Sequence, residues 1–223
     1  MQTDTRPFLR RIAAGVLLAA AGALGACDAP TAPGGRAAAA GPRMLITPAC
    51  AGTGGQTHPA RSITASQTWT RANSPHRVMG TVAVDSAARL TIAPGAVVCF
   101  EPGATLRAQN GGRVYARGRD TAKIVFTGRD PAQGWAGIEL TGAPAGPSYL
   151  TNVRIEYVNV DRAALTTRDQ HSLYADSVTI RQSGYGLEFH APGSRFIRSA
   201  VDSTTARWAA AVYLNAGSFE RSV

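Results

Sequence analysis

The chain has 223 residues, 44% hydrophobic and 17% charged, with 24 glycines, 13 prolines and a formal charge of +9. Those proportions describe a foldable chain near one domain in size and exclude collagenous, low-complexity and highly charged disordered classes. All 23 basic residues are arginine except Lys123, a bias that genome composition produces as readily as a ligand does, so the charge alone assigns no function.

Residues 1–11 carry Arg6, Arg10 and Arg11, and residues 12–26 form an uncharged run of 15. That run is shorter than the ~20 residues needed to span a bilayer, and it follows a basic start, which is the order of a secretory signal. Its end, Leu24-Gly25-Ala26-Cys27, resembles the bacterial lipobox, in which small residues admit the peptidase and the cysteine becomes a lipidated N-terminus. Acyl chains on Cys27 would hold the protein at a membrane without a spanning helix, since each buried CH₂ contributes about 0.8 kcal/mol. The expected location is therefore the cell envelope, at the outer membrane or the periplasmic face of the inner membrane. Asp28 resembles an inner-membrane retention residue in some enterobacteria and leaves the choice between the two open.

Residues 27–61 are rich in Ala, Gly, Pro and Thr and bury too little to offset ordering entropy, so they are expected as a lipidated flexible tether. With Cys27 lipidated, Cys50 and Cys99 remain as an even pair outside the cytoplasm. In Val98-Cys99-Phe100 the alternation turns Cys99 outward, where an N-terminal segment carrying Cys50 could meet it as a disulfide.

From residue 62 the pattern becomes short alternating runs broken by Gly, Pro, Asn or Asp. Candidate strands fall at 81–84, 89–92, 97–100, 105–108, 113–116, 123–127, 137–140, 152–157, 177–180, 186–189, 195–197 and 211–214. Equivalent apolar positions recur at 22 residues (Val84 to Leu106, Ile92 to Val114), 26 (Val98 to Ile124, Phe100 to Phe126) and 25 (Ile155 to Ile180, Leu187 to Val212). The motif at Gly193, Ser194, Phe196, Arg198 and Ser199 returns at Gly217, Ser218, Phe219, Arg221 and Ser222. A quasi-period of this kind marks a solenoid, whose turns stack inward residues on one another. The expected fold is an all-β right-handed parallel β-helix. A β-sandwich or jelly roll is the alternative, and it accounts for the short strands but not for the spacing.

The phrases TWTRANSPHRVMGTVAV (68–84), LTIAPGAVVCFEPGATLRA (90–108), KIVFTG (123–128), GWAGIEL (134–140) and NVRIEYV (152–158) together resemble secreted bacterial proteins with right-handed parallel β-helix repeats, relatives in fold of pectate lyases. The resemblance covers residues 63–223. It implies an N-terminal cap over 62–80, with Trp69 as its lid, and a β-helix over 81–223. Trp135, flanked by Gly134 and Gly137, suits core or corner packing and, as a second reading, a sugar platform.

Chemistry is sparse. His58, His76, His171 and His190 lack metal spacing, and no nucleotide-binding or serine-hydrolase motif occurs, so no cofactor, metal or catalytic residue is assigned. The β-helix lyases hold calcium with clustered acids and use an arginine base. Here Arg154, Glu156, Asp176 and Arg181 approach that pattern without the aspartate cluster. These four residues suit a cross-rung salt bridge first and, together with Trp135, a glycan-facing surface as the second reading. The function that follows is a binding or structural module of the envelope, with polysaccharide as the partner class and a lyase or hydrolase as the alternative. Nucleic acid is not expected, since export removes it and no stretch interleaves aromatic and basic residues. After Val212 and Leu214 a new rung starts at Gly217 without a closing segment, which leads to an expectation that the solenoid continues beyond residue 223 or associates end to end.

Overall fold

The computed structural model describes residues 46–204, 212–214 and 217–223. The signal, the lipobox and Cys27 lie outside the described residues. Among those described, no helix is long and apolar enough to cross a membrane.

The strands are short because a glycine, a proline or a single left-handed residue turns the chain after every few positions. A first coil contains β1 (Gln56–His58), β2 (Arg61–Ile63) and β3 (Gln67–Trp69), and a second contains β4 (His76–Val78), β5 (Thr81–Val84) and β6 (Arg89–Ile92). β7 (Val97–Phe100), β8 (Thr105–Ala108) and β9 (Arg113–Arg117) make the third, and β10 (Ile124–Gly128) and β11 (Ile138–Leu140) open the fourth. β12 (Ser148–Glu156) and β14 (Leu173–Ser183) are long strands bent at Asn152 and Ser177, both with positive φ, so each closes one coil and opens the next, with β13 (Ala163–Thr167) between them. β15 (Tyr185–Phe189), β16 (Arg195–Ile197), β17 (Ala200–Thr204), β18 (Val212–Leu214) and β19 (Ser218–Glu220) complete the order.

Every pair between named strands is parallel. The protein is therefore an all-β parallel β-solenoid, consistent with a right-handed β-helix, and the antiparallel sandwich is excluded. Three faces run along it. Face I stacks β1, β4, β7, β10, the later halves of β12 and β14, and β17. Face II is the seven-stranded sheet from β2 to β18. Face III stacks β3, β6, β9, the earlier halves of β12 and β14, β16 and β19. Faces I and III merge into one twelve-stranded sheet through the two bent strands.

The interior is a set of ladders. Val82, Leu106, Ile138, Leu165, Leu187 and Val212 follow one another up face II, and Val98, Phe126, Ile155 and Ile180 up face I. Nearly all of these side chains are fully buried, so hydrophobic transfer contributes on the order of 2 kcal/mol for each. Coil length varies. Gln56 pairs with His76 and Arg195 with Ser218, 20 and 23 residues apart, whereas Tyr115 pairs with Tyr149, 34 apart.

The sequence registers are corrected on three strand pairs. Val84 pairs with Ala108, Ile92 with Ala116, Val98 with Phe126 and Phe100 with Gly128, each two residues beyond the expected partner. A shift of two preserves the inward face, so alternation alone cannot detect it. Ile155 with Ile180, Leu187 with Val212 and Phe196 with Phe219 pair as their spacing predicted. The repeated serine motif has a physical cause. Ser194 Oγ accepts the Leu173 N–H at 3.2 Å, Ser199 Oγ the Val178 N–H at 2.8 Å and Ser222 Oγ the Ser199 N–H at 3.1 Å, so serines satisfy backbone donors at successive corners.

The N-terminal side also differs from the expected layout. β1 lies within the stretch assigned to a tether, and β2, β3 and β4 within or across the proposed cap, all in parallel register with the coils that follow. The stretch therefore forms rungs of the solenoid. These four strands are three residues long and lie where the composition implied a tether and the resemblance a cap, so no strand was expected there.

Candidate functional site

Cys50 and Cys99 are joined, with their Cα atoms 5.9 Å apart. The short 3-10 turn Pro48–Cys50 lies against face I, and Thr47 anchors it by donating its N–H to Arg129 O at 3.0 Å and its hydroxyl to Gly128 O at 3.2 Å. The outward setting of Cys99 in β7 is what allows this strap to reach it.

The five expected surface residues do not form one site. Arg154 and Glu156 share face I and pair along their own strand, Nε to Oε1 at 2.8 Å. Arg181 stands beside Glu156 on the next strand. Asp176 precedes the Ser177 bend and so lies on face III, where its carboxylate is held by the Arg198 guanidinium, Nε to Oδ1 at 3.0 Å. The bend at a positive-φ serine is the feature the strand pattern concealed.

Trp135 is buried and unavailable to a sugar. Its ring stacks on Phe100 at 3.8 Å and 10°, and its Nε1–H donates to Glu156 O at 2.9 Å. Gly128 makes the room, because a Cβ there would come within 3.2 Å of the indole and 2.7 Å of Tyr157 O. Trp69 is also buried, under the stacked ring of His58 at 4.0 Å. It is an interior member of the first coil, with histidines packed on it.

The histidines are structural. His76 Nε2–H donates to Thr70 O at 2.8 Å, which leaves its Nδ1 to accept from His58 Nε2–H at 3.1 Å. Burial lowers both pKa values, that of His58 to about 4, with charge from His76 and Arg61 adding to the effect. His171 Nδ1–H donates to Thr141 O at 3.0 Å, and its Nε2 accepts the Ser148 hydroxyl at 2.9 Å. Ser148 Oγ accepts in turn from Val114 N–H, and both residues are fully buried, so the pair completes a corner and exposes no nucleophile. Asp169 faces elsewhere, accepting Gly142 N–H at 2.9 Å. His190 donates to Glu188, which also receives Arg168. Among the described residues no group of three or more His, Cys, Asp or Glu is placed to hold a metal.

The feature that sequence reading missed lies on face III. Tyr115, Tyr149 and Tyr174 occupy one outward column on three successive strands. Their ring centroids are 5.1 and 5.9 Å apart, with neighbouring planes tilted by 54° and 47°. Arg89, Arg113 and Arg117 surround this ladder, their guanidinium carbons 5.2, 5.8 and 5.4 Å from the Tyr115 centroid, and Arg117 is also 4.1 Å from that of Tyr149. Arg195 continues the tyrosine column on the following strand. Aromatic and basic residues therefore do interleave, along β9 as Arg113, Tyr115 and Arg117 and then across coils, which corrects the expectation that no stretch combines them. The signal available in the sequence was three tyrosines at outward strand positions, hidden by spacings of 34 and 25 residues.

No family model matches the chain, and no match is found for it among curated proteins or solved structures.

Proposed function

We propose that the protein is a cell-envelope module, anchored through lipid on Cys27, whose solenoid presents face III to an extended glycan. The observation that carries this reading is the tyrosine ladder. Half-buried tyrosines offer an apolar ring edge and a hydroxyl together, the combination that suits an amphipathic sugar. A rung spacing of about 4.8 Å repeats those contacts at roughly the advance of one sugar in an extended chain. The scaffold supports the role because the rings are fixed by strand pairing on both sides and need little ordering on binding.

A binding role is also favoured by how the carboxylates are used. Glu101, Glu139, Glu156, Glu188 and Asp176 are each taken by an arginine, and Asp85 and Asp130 hold turns through backbone N–H groups. Hydrogen bonds to Gln109 and Asn110 hold Asp85 below the usual carboxylate range, and the Ala132 N–H does the same for Asp130.

The experiment is a glycan array probed with the full chain and with Tyr149→Ala. Retention of an extended polysaccharide by the parent, weakened at least fivefold in the variant, is expected. Equal retention by both would sink the reading. Acylation at Cys27 is checked separately by intact mass of the membrane-extracted protein, and a mature chain starting elsewhere would remove the anchor.

A further inference from the structure

We infer that the glycan read by face III is acidic, and that Arg89, Arg113 and Arg117 form the receptor for its carboxylate, phosphate or sulfate groups. The inference rests on the ladder reading and deepens it by naming the class of ligand.

The argument begins with a contrast among arginines. Arg107, Arg129, Arg154, Arg168 and Arg198 each have a carboxylate within salt-bridge distance. Among the described residues, Arg89, Arg113 and Arg117 have none. Of the acids on the same outward face, Asp176 is already held by Arg198, and Glu220 stands two strands further along and accepts from the Ser218 hydroxyl.

Their placement is also electrostatically unfavourable in the free protein. Arg89 stands directly opposite Arg113 on the neighbouring strand, a like-charge cross-strand pair that destabilises a sheet. Three guanidiniums crowd a single ring, Tyr115. Attraction to the ring face offsets part of their repulsion, but an anion between them would remove it. Guanidinium also offers a planar fork of donors that matches carboxylate, phosphate and sulfate oxygens in pairs. Arg113 donates to Tyr115 Oη with one terminal nitrogen at 3.5 Å, which sets a guanidinium beside a hydroxyl on this face.

The geometry favours a sugar polymer over a nucleobase strand. Bases need open aromatic faces to stack on. Here the rings lie 5.1 and 5.9 Å apart with planes tilted by 54° and 47°, and guanidiniums lie over the faces of Tyr115 and Tyr149, so these rings form no flat open stacking platform. A hydroxyl-rich chain carrying one anionic group every residue or two uses both sets of contacts, and a base uses neither well.

The test compares binding of the full chain to carboxymethyl cellulose and to hydroxyethyl cellulose, which share an extended backbone and differ in charge, with polyphosphate and single-stranded DNA as further probes. The anionic cellulose should bind at least tenfold more tightly at low salt, and the difference should shrink as salt screens it. The triple variant Arg89→Gln, Arg113→Gln, Arg117→Gln should bring binding down to the neutral level with a melting temperature no lower than the parent's, since it removes a like-charge cluster. Tyr149→Ala should weaken binding to both celluloses. Equal binding of the two would overturn the acidic-ligand inference and leave the ladder reading standing, whereas binding of neither would remove the ladder reading itself. Tight binding of polyphosphate or DNA that is indifferent to Tyr149→Ala would overturn both, by showing undirected attraction of polyanions.

Discussion

Two tryptophans inside this solenoid each lie stacked on another ring, one on phenylalanine and one on histidine, and these neighbours make them behave differently. Trp135, in the fourth coil, rests on Phe100 at 3.8 Å, and its indole N–H reaches a backbone carbonyl. Trp69, in the first, rests on His58 at 4.0 Å with His76 on the same stack at 5.2 Å, and its indole N–H has no hydrogen-bond partner among the described residues. Burial and stacking are alike at the two sites, but the first contains titratable rings and an unsatisfied donor. The Trp135 stack therefore contains no ring that titrates, whereas the Trp69 stack holds two whose protonation burial opposes.

The sharpest way to break this contrast is to truncate the two rings in turn. Trp135→Ala should cost about 5 kcal/mol, because it removes a fully buried ring and a buried hydrogen bond and leaves a cavity between coils. Trp69→Ala should cost less, about 3 kcal/mol, since the indole lost there was already short of a partner. Denaturant unfolding of the two variants measures the difference, and an equal or reversed order would contradict the argument.

Reduction of the disulfide links the two regions. Cys50 and Cys99 are separated by 49 residues, and closing such a loop contributes about 4 kcal/mol on the chain-entropy model. Cys99→Ser should loosen the coils before β7 more than those after it, because solenoid stability is largely a sum of neighbour terms. Hydrogen exchange resolved by residue would show uniform loss of protection if this were wrong.

Acid should then separate the two stacks. His58 is neutral when folded down to about pH 4, whereas unfolded histidine takes up its proton near 6.5. Between those values the unfolded chain binds more protons, so stability is fully present above 6.5 and falls as pH drops toward 4, by on the order of 3 kcal/mol. His76 and His171 shift in the same direction. Exchange protection in β1 to β4 should fall, as should that of the corner His171 forms with Thr141 and Ser148, and His58→Phe should remove the response in β1 to β4 alone.

The smallest effect expected is at Glu156. Its backbone carbonyl, not its side chain, accepts from Trp135, so Glu156→Ala forfeits only a partly exposed ion pair with Arg154, worth at most about 1 kcal/mol. A larger loss by thermal melting would assign the carboxylate a role beyond that pair.

The ladder of short strands from Thr81 onward was legible because alternation and glycine or proline turns fall where the chain bends. Pro94-Gly95 and Pro102-Gly103 turn with the glycines at φ 76° and 74°, as tight corners require. Ala163–Thr167 was missed since all five residues are buried and show no alternation, and Ala200–Thr204 opens a strand straight after a single left-handed residue, Arg198. The outward surface was the least legible level. Insertions of different length between β9 and β12 break any fixed period, so Tyr115 and Tyr149 meet only once the coils are wound. The same unevenness separated Asp176 from Arg154, because one left-handed serine turns a continuous strand onto another face.

The disulfide strap has a mechanical consequence. Cys50 and Cys99 bracket the first two coils, so tension applied through the segment before Thr47 crosses the sulfur bridge directly into the third coil. The His58–Trp69–His76 region lies between the two cysteines in sequence, outside the load path, and is not stretched. Reducing the bridge puts those coils in series with the load. In a single-molecule pulling experiment they should then unfold first and release a hidden length of up to about 3.5 Å for each residue between the two cysteines.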